Sequence, residues 1–303
     1  MINLVKDINQ VKKVIKDDFT DSLDIEYIER GNEHFVALID KKYVARFPRN
    51  QKIALNAYYV DNLLARLKGS PLFVPNTLYK KDNPLYFVSD YIDGNHLTAL
   101  QVRALNVSNK NDLAYKYANF AANLHNQFNA IEETAIQLKY GLSKNRQLSW
   151  QDYFNMAVYS RKLPTKKQDL IAKEYYKKWQ SNTGTKPLVL LHDDLHLENI
   201  LFLNDKLVGI LDFGDVNIGY PEQEFRQLYK LGDDILIWAL QSYNLLTGRN
   251  LEPKNVKNWA IMQQLASYSE RWFKNEMGHP AFTRACEDLN TWLPEGQWGL
   301  NLL

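Results

Sequence analysis

Residues 188–215 read Leu188-Val189-Leu190-Leu191-His192-Asp193-Asp194-Leu195-His196-Leu197-Glu198-Asn199-Ile200-Leu201-Phe202-Leu203-Asn204-Asp205-Lys206-Leu207-Val208-Gly209-Ile210-Leu211-Asp212-Phe213-Gly214-Asp215. Three runs rich in Leu, Ile and Val, at 188–191, 200–203 and 207–211, have the length of buried strands. A polar loop holding His, acids and Asn separates the first two. Asn204-Asp205-Lys206 is a turn signal between the last two.

A hairpin whose two loop residues are Asp205 and Lys206 sets Asn204 opposite Leu207 and, counting outward, Asn199 opposite Asp212. Directly opposed residues lie about 4.5–5.5 Å apart at Cα, so an amide oxygen and a carboxylate converge. Few, hard oxygen ligands suit Mg²⁺ shared between protein and substrate phosphates. Asp194 stands on the loop leading into this hairpin, placed to accept a proton from a nucleophile near that ion.

His192-x-Asp194-x-x-x-x-Asn199, followed by Asp212-Phe213-Gly214, resembles the catalytic and metal loops of the protein-kinase-like fold. The wording Asp194-Leu195-His196-x-x-Asn199-Ile200-Leu201, then Gly209-Ile210-Leu211-Asp212-Phe213-Gly214-Asp215, is similar to the aminoglycoside and macrolide phosphotransferase family. Protein kinases resemble it less, since they carry Arg where Asp193 stands. The resemblance implies an α+β, bilobal protein-kinase-like fold. Residues 1–91 would form a small antiparallel-sheet lobe that binds nucleotide, and 92–303 a mainly helical catalytic and substrate-binding lobe.

Upstream the pattern agrees. Leu4, Ile8, Val11 and Ile15 have helical spacing, and 23–28, 35–39 and 43–48 alternate like three strands joined by tight turns, an antiparallel sheet. In the resembled fold the first turn lies over the ATP phosphates. Gly31 would permit close approach of the backbone, and amides from Asn32 to His34 would face phosphate oxygens. Arg46, in Arg46-Phe47-Pro48, stands where the fold usually has a strand lysine on the α- and β-phosphates, and guanidinium can hold phosphate bidentately. The helix at about 52–68 offers Val60 beside Asp61 where a glutamate usually pairs with that cation. Asp90, Tyr91 and Ile92 resemble the hinge whose backbone holds adenine. Residues 222–225 carry Glu224 where the family braces its catalytic loop with an acid, and 111–128 and 150–179 read as helices of the second lobe.

The implied activity is transfer of the γ-phosphate of Mg-ATP, with GTP the alternative, to a hydroxyl of a small aminoglycoside-, macrolide- or choline- or sugar-like molecule. Asp194 is the base, His196 supports either it or the phosphates, and Asn199 and Asp212 hold Mg²⁺. Two other readings compete. His192, Asp193, Asp194 and His196 could form the centre of a metal-dependent hydrolase. The missing strand Lys and helix Glu suggest a non-catalytic nucleotide-binding relative.

With 303 residues, 45% of them hydrophobic, the chain has ample material for a core, and a net charge of +2 gives no general attraction to nucleic acid or membrane. No apolar run approaches the ~20 residues of a membrane helix. One cysteine, Cys286, excludes an internal disulfide framework, and with no leader-like start the expected place is the cytoplasm. From residue 211 onward acids outnumber bases, which suits a cationic acceptor. A monomer or weak dimer is expected.

Overall fold

The computed structural model of the chain describes residues 2–29, 31, 33–142, 146–183 and 187–299. Its first helix, α1 (Ile8–Asp18), is capped by Asp7, whose carboxylate accepts the amides of Asn9 and Gln10. Val11 and Ile15, one turn apart, are fully buried, each stabilising by about 1.5–3 kcal/mol. They cover one face of a five-stranded antiparallel sheet in the order β1-β2-β3-β5-β4. Its strands are β1 (Ile25–Ile28), β2 (His34–Ile39) and β3 (Tyr43–Pro48), then, after helix α2 (Gln51–Arg66), β4 (Thr77–Asp82) and β5 (Leu85–Asp90).

Period-two alternation divides this sheet. Phe35, Ala37, Ile39, Ala45, Phe47, Tyr86 and Val88 point into the core beneath α1. The intervening residues share the other face. Val36 pairs with both Ile28 and Arg46, and Arg46 with Phe87. That second face is the roof of a cleft.

Past β5 the remainder is mainly helical: α3 (Ala99–Ala104), α4 (Val107–Gln127), α5 (Ala130–Lys139), α6 (Arg146–Asn155) running into a wider turn at Met156–Ser160, and α7 (Lys166–Asn182). Three short strands follow: β6 (Val189–Leu191), β7 (Ile200–Leu203) and β8 (Lys206–Ile210). A fourth, β9 (Asn217–Gly219), precedes α8 (Pro221–Glu224), α9 (Asp233–Thr247), α10 (Pro253–Phe273) and α11 (Pro280–Trp292). Among the described residues no helix is long and apolar enough to cross a membrane. The two parts of the chain are tied in several places. Arg66 of α2 pairs with buried Glu133 of α5, and the backbone of Phe73 and of Asn95 bonds to β8 and β7.

The β7–β8 ribbon exists, but its register differs from the expected one. Leu203 pairs with Lys206, so the loop residues are Asn204 and Asp205, not Asp205 and Lys206. Both have positive φ, 51° and 61°, as a two-residue turn of this hand requires. Asn and Asp adopt that conformation more readily than most residues, which suits them to the two loop positions. A bulge at Val208 then shifts the ladder to Ile200 opposite Ile210, and the Leu211 amide donates to the Asn199 carbonyl at 2.8 Å. Asn199 therefore lies opposite Leu211, and Asp212 is one residue further on. β6 pairs with β9, not with the ribbon.

Candidate active site

The loop between β6 and β7 is held from beneath by buried side chains. The His192 imidazole, fully buried against Phe213 with ring centroids 4.6 Å apart, donates from Nε2 to the Leu211 carbonyl at 2.9 Å. That fixes the proton on Nε2, and Nδ1 faces the Asp194 amide at 3.4 Å. The Glu224 carboxylate, at the end of α8, accepts the backbone amides of His192 at 2.7 Å and of Asp193 at 3.1 Å. His125 of α4 reaches the same carboxylate at 3.4 Å and bonds through Nδ1 to the Tyr243 hydroxyl at 2.7 Å. Burial pushes the Glu224 carboxyl up, but His125, His192 and the donated amide bring it below the usual carboxylate value.

Asp193 sits in a left-handed conformation, φ 65°, and turns inward. Its Oδ1 accepts Gln223 Nε2 at 2.6 Å and Arg226 Nη1 at 2.9 Å, and Oδ2 accepts the Trp150 indole at 3.3 Å. Burial raises its pKa, and these donors oppose that. The inward turn of Asp193 sends Asp194 the other way, with its side chain 31% exposed. Asp194 Oδ2 lies 3.2 Å from His196 Nε2 and accepts Asn199 Nδ2 at 3.0 Å. The Glu198 amide donates to His196 Nδ1 at 3.1 Å, so the imidazole presents its Nε2 proton to Asp194. Burial alone would raise the Asp194 carboxyl; His196, Arg226 and His192 hold it below its usual value. Burial lowers the His196 imidazole, and Asp194 more than offsets that and raises it.

Two cavities flank this loop. One, of about 500 Å³, lies under the sheet face described above. Gly31, His34 and Arg46 line it from the sheet side, Asn199 and Asp212 from the ribbon. Val60 and Asp61 line it from α2. Arg46 donates to the Ser89 hydroxyl at 2.9 Å; burial lowers its pKa and the Asp212 charge supports it. His34 is pressed down to about 4 by burial and by Arg46 and Arg49, with Asp212 working the other way, so it is neutral near pH 7. Asp212, left-handed at φ 56°, accepts the Gly214 amide at 3.2 Å. A side chain at Gly214 would stand 2.8 Å from the Glu33 carboxylate and 3.1 Å from Asp212 Oδ1, so those carboxylates would have to shift to admit it. Gly31, at φ +113°, has its own need for glycine.

Asn32 lies outside the described residues. Asp90 ends β5, Tyr91 and Ile92 follow it, and none of the three lines this cavity. The Tyr91 amide donates to the Lys42 carbonyl at 2.9 Å, and Ile92 packs against Gly209. Asn56, which sequence reasoning missed, donates from α2 to the Gly214 carbonyl at 2.8 Å. It stands one turn before Val60 on the same helix face, the spacing that could have singled it out. Arg226 was missed as well, because no local pattern couples it to a residue 33 positions earlier.

The second cavity, of about 340 Å³, is lined by Asp194, His196 and Leu197 and, opposite, by α10 and α11. Glu198 borders both. The loop thus lies between a space lined by Arg46, Asn199 and Asp212 and a space faced by Asp194. His192, Asp193, Asp194 and His196 do not converge as a metal cluster. Among the described residues no group of three or more His, Cys, Asp or Glu is placed to hold an ion.

The fold occurs in known proteins. Solved structures similar in fold include the GDP complex of aminoglycoside 2'-phosphotransferase-IIIa, 19% identical with a TM-score of 0.73 over 95% of this chain and 99% of that one. The streptomycin–ATP ternary complex of APH(2")-IIa is 20% identical, with a TM-score of 0.65 over 94% and 97%. Macrolide 2'-phosphotransferase MphH from Brachybacterium faecium is 18% identical, with a TM-score of 0.64 over 93% and 98%. No curated protein matches the sequence. The family model described as phosphotransferase enzyme family (APH) matches residues 24–247, well over half of the sequence. The chain belongs to that family and is a kinase-type enzyme.

Proposed function

We propose that the chain transfers the γ-phosphate of ATP to a hydroxyl of a small molecule. The observation that carries this is the partition made by residues 192–199. Arg46, Asn199 and Asp212 face one cavity and Asp194 faces the other. In this reading residues 1–91 are the nucleotide lobe and 92–303 the catalytic and acceptor lobe.

The triphosphate lies under the sheet, with Arg46 on its oxygens and neutral His34 adding no charge of its own. Asn199 gives its amide nitrogen to Asp194, also accepted by the Asp194 carbonyl at 2.9 Å, which leaves Oδ1 as its ligand atom. That oxygen and the Asp212 carboxylate fit Mg²⁺, whose remaining positions phosphates and water fill. Bound there, the ion would neutralise developing charge on the transferred group. The acceptor hydroxyl enters from the second cavity. Asp194, kept ionised by its neighbours, takes the hydroxyl proton as the oxygen forms its bond to phosphorus and the bond to the β-phosphate oxygen breaks. His196 and Asn199 orient the carboxylate, and Glu224 and His192 hold the loop still. ADP and the phosphate ester leave.

Calorimetric titration of ATP with and without Mg²⁺ tests this assignment. The unaltered protein binds more tightly with Mg²⁺, and Asp212→Asn loses that gain, a weakening of about tenfold or more. An equal response to Mg²⁺ in the variant contradicts the assignment.

A further inference from the structure

The second cavity carries a charge pattern that a polycation would not favour. Its acids, Asp194 and Glu198, both belong to the catalytic loop, and Asp194 is committed to the reacting hydroxyl and to His196 and Asn199. The walls away from that loop carry no acid among the described residues. They hold Lys230, at the end of the turn Phe225–Lys230, and Arg284 of α11. Lys230 already meets Asp288 at 3.0 Å. Arg284 makes no ion pair among the described residues. Neutral amides fill the space between. Gln227 and Gln264 are only 9% and 6% exposed yet line the cavity. Gln263 accepts Arg226 Nε at 3.2 Å through its oxygen, which leaves its amide hydrogens for a ligand. The volume, about 340 Å³, is at the small end of the roughly 300–1,000 Å³ of ligand pockets.

We infer that the acceptor is a compact hydroxyl compound bearing an anionic group, carboxylate or phosphate, seated on Arg284 with Lys230 beside it. This rests on the phosphotransfer reading and specifies its substrate. A guanidinium recognises either anion through paired N–H donors, and the amides meet neutral hydroxyls. A polyamine would bring several ammonium groups against Arg284, with Lys230 already paired to Asp288 and Glu198 as the one uncommitted carboxylate, and like charges placed together disfavour it. The chemistry is ordinary hydroxyl phosphorylation: the acceptor oxygen gains the phosphoryl group, its proton passes to Asp194, and ADP departs.

The experiment offers the enzyme Mg-ATP with three matched sets: gluconate, glycerate and glycerol phosphate; glucose and glycerol; and kanamycin. The expected result is phosphorylation of, or a thermal shift from, at least one anionic probe in preference to the neutral and cationic ones. Arg284→Ala then raises KM for that anion by about tenfold or more while kcat falls much less, and Arg284→Lys recovers part of the loss. Preference for kanamycin or the neutral probes, no response to any anion, or an unchanged KM in Arg284→Ala overturns the inference. Slow ATP hydrolysis without acceptor, present in the unaltered enzyme and lost in Asp194→Asn, shows that phosphotransfer holds even where the anion proposal fails.

Discussion

Asp194 combines exposure with an ionised character that burial opposes. The difference is supplied by His196 at 3.2 Å, with help from Arg226 and His192. In the proposed role Asp194 is therefore ionised at a pH where an equally buried, unsupported carboxyl would begin to hold its proton. Removing the imidazole should reveal this. His196→Ala is expected to raise the Asp194 pKa and shift the acid limb of the pH profile of kcat/KM to higher pH, with the alkaline limb in place. An unmoved acid limb would remove His196 from this role. At this scale the sequence was informative in bringing Asp194, Asn199 and Asp212 to one loop and the ribbon that follows it. It was uninformative for the burial of Asp193. Its burial depends on Arg226, Gln223 and Trp150, distant partners that local spacing does not reveal.

Among elements, the β7–β8 ribbon decides where Asn199 and Asp212 go, and its register follows from the positive φ of Asn204 and Asp205. Strand periodicity gave the two arms of the ribbon. The bulge at Val208 was not legible, because it arises where the Phe73 backbone docks on that strand, bonding to the Val208 carbonyl at 2.9 Å. A register set by the turn is testable. Asp205→Gly should keep or raise stability by up to about 1 kcal/mol, whereas Asp205→Val should lower it by about 1–2 kcal/mol, because a β-branched side chain resists this conformation. Urea unfolding of the two variants measures it. Equal stabilities would mean that position 205 does not need a left-handed backbone and that the ribbon turns elsewhere.

For the molecule as a whole, alternation along β2 and β3 puts one set of side chains under α1 and the other, with His34, Val36 and Arg46, over the cleft. Period and turn signals gave the antiparallel sheet, and the resemblance carried by residues 192–214 implied the bilobal fold class. The depth of the cleft, the placement of Asp90 to Ile92 outside its wall, and the tie from Asn56 to Gly214 depend on how sheet and helices meet, which periodicity within one element does not encode. The central claim is that one loop separates bound nucleotide from acceptor and presents Asp194 to the hydroxyl. Its most direct test measures two quantities on Asp194→Asn, the affinity for Mg-ATP and the rate of phosphoryl transfer to acceptor or water. Affinity within about threefold of the unaltered enzyme, with transfer slowed by about 10²–10⁴, is predicted. Transfer at the original rate would contradict it.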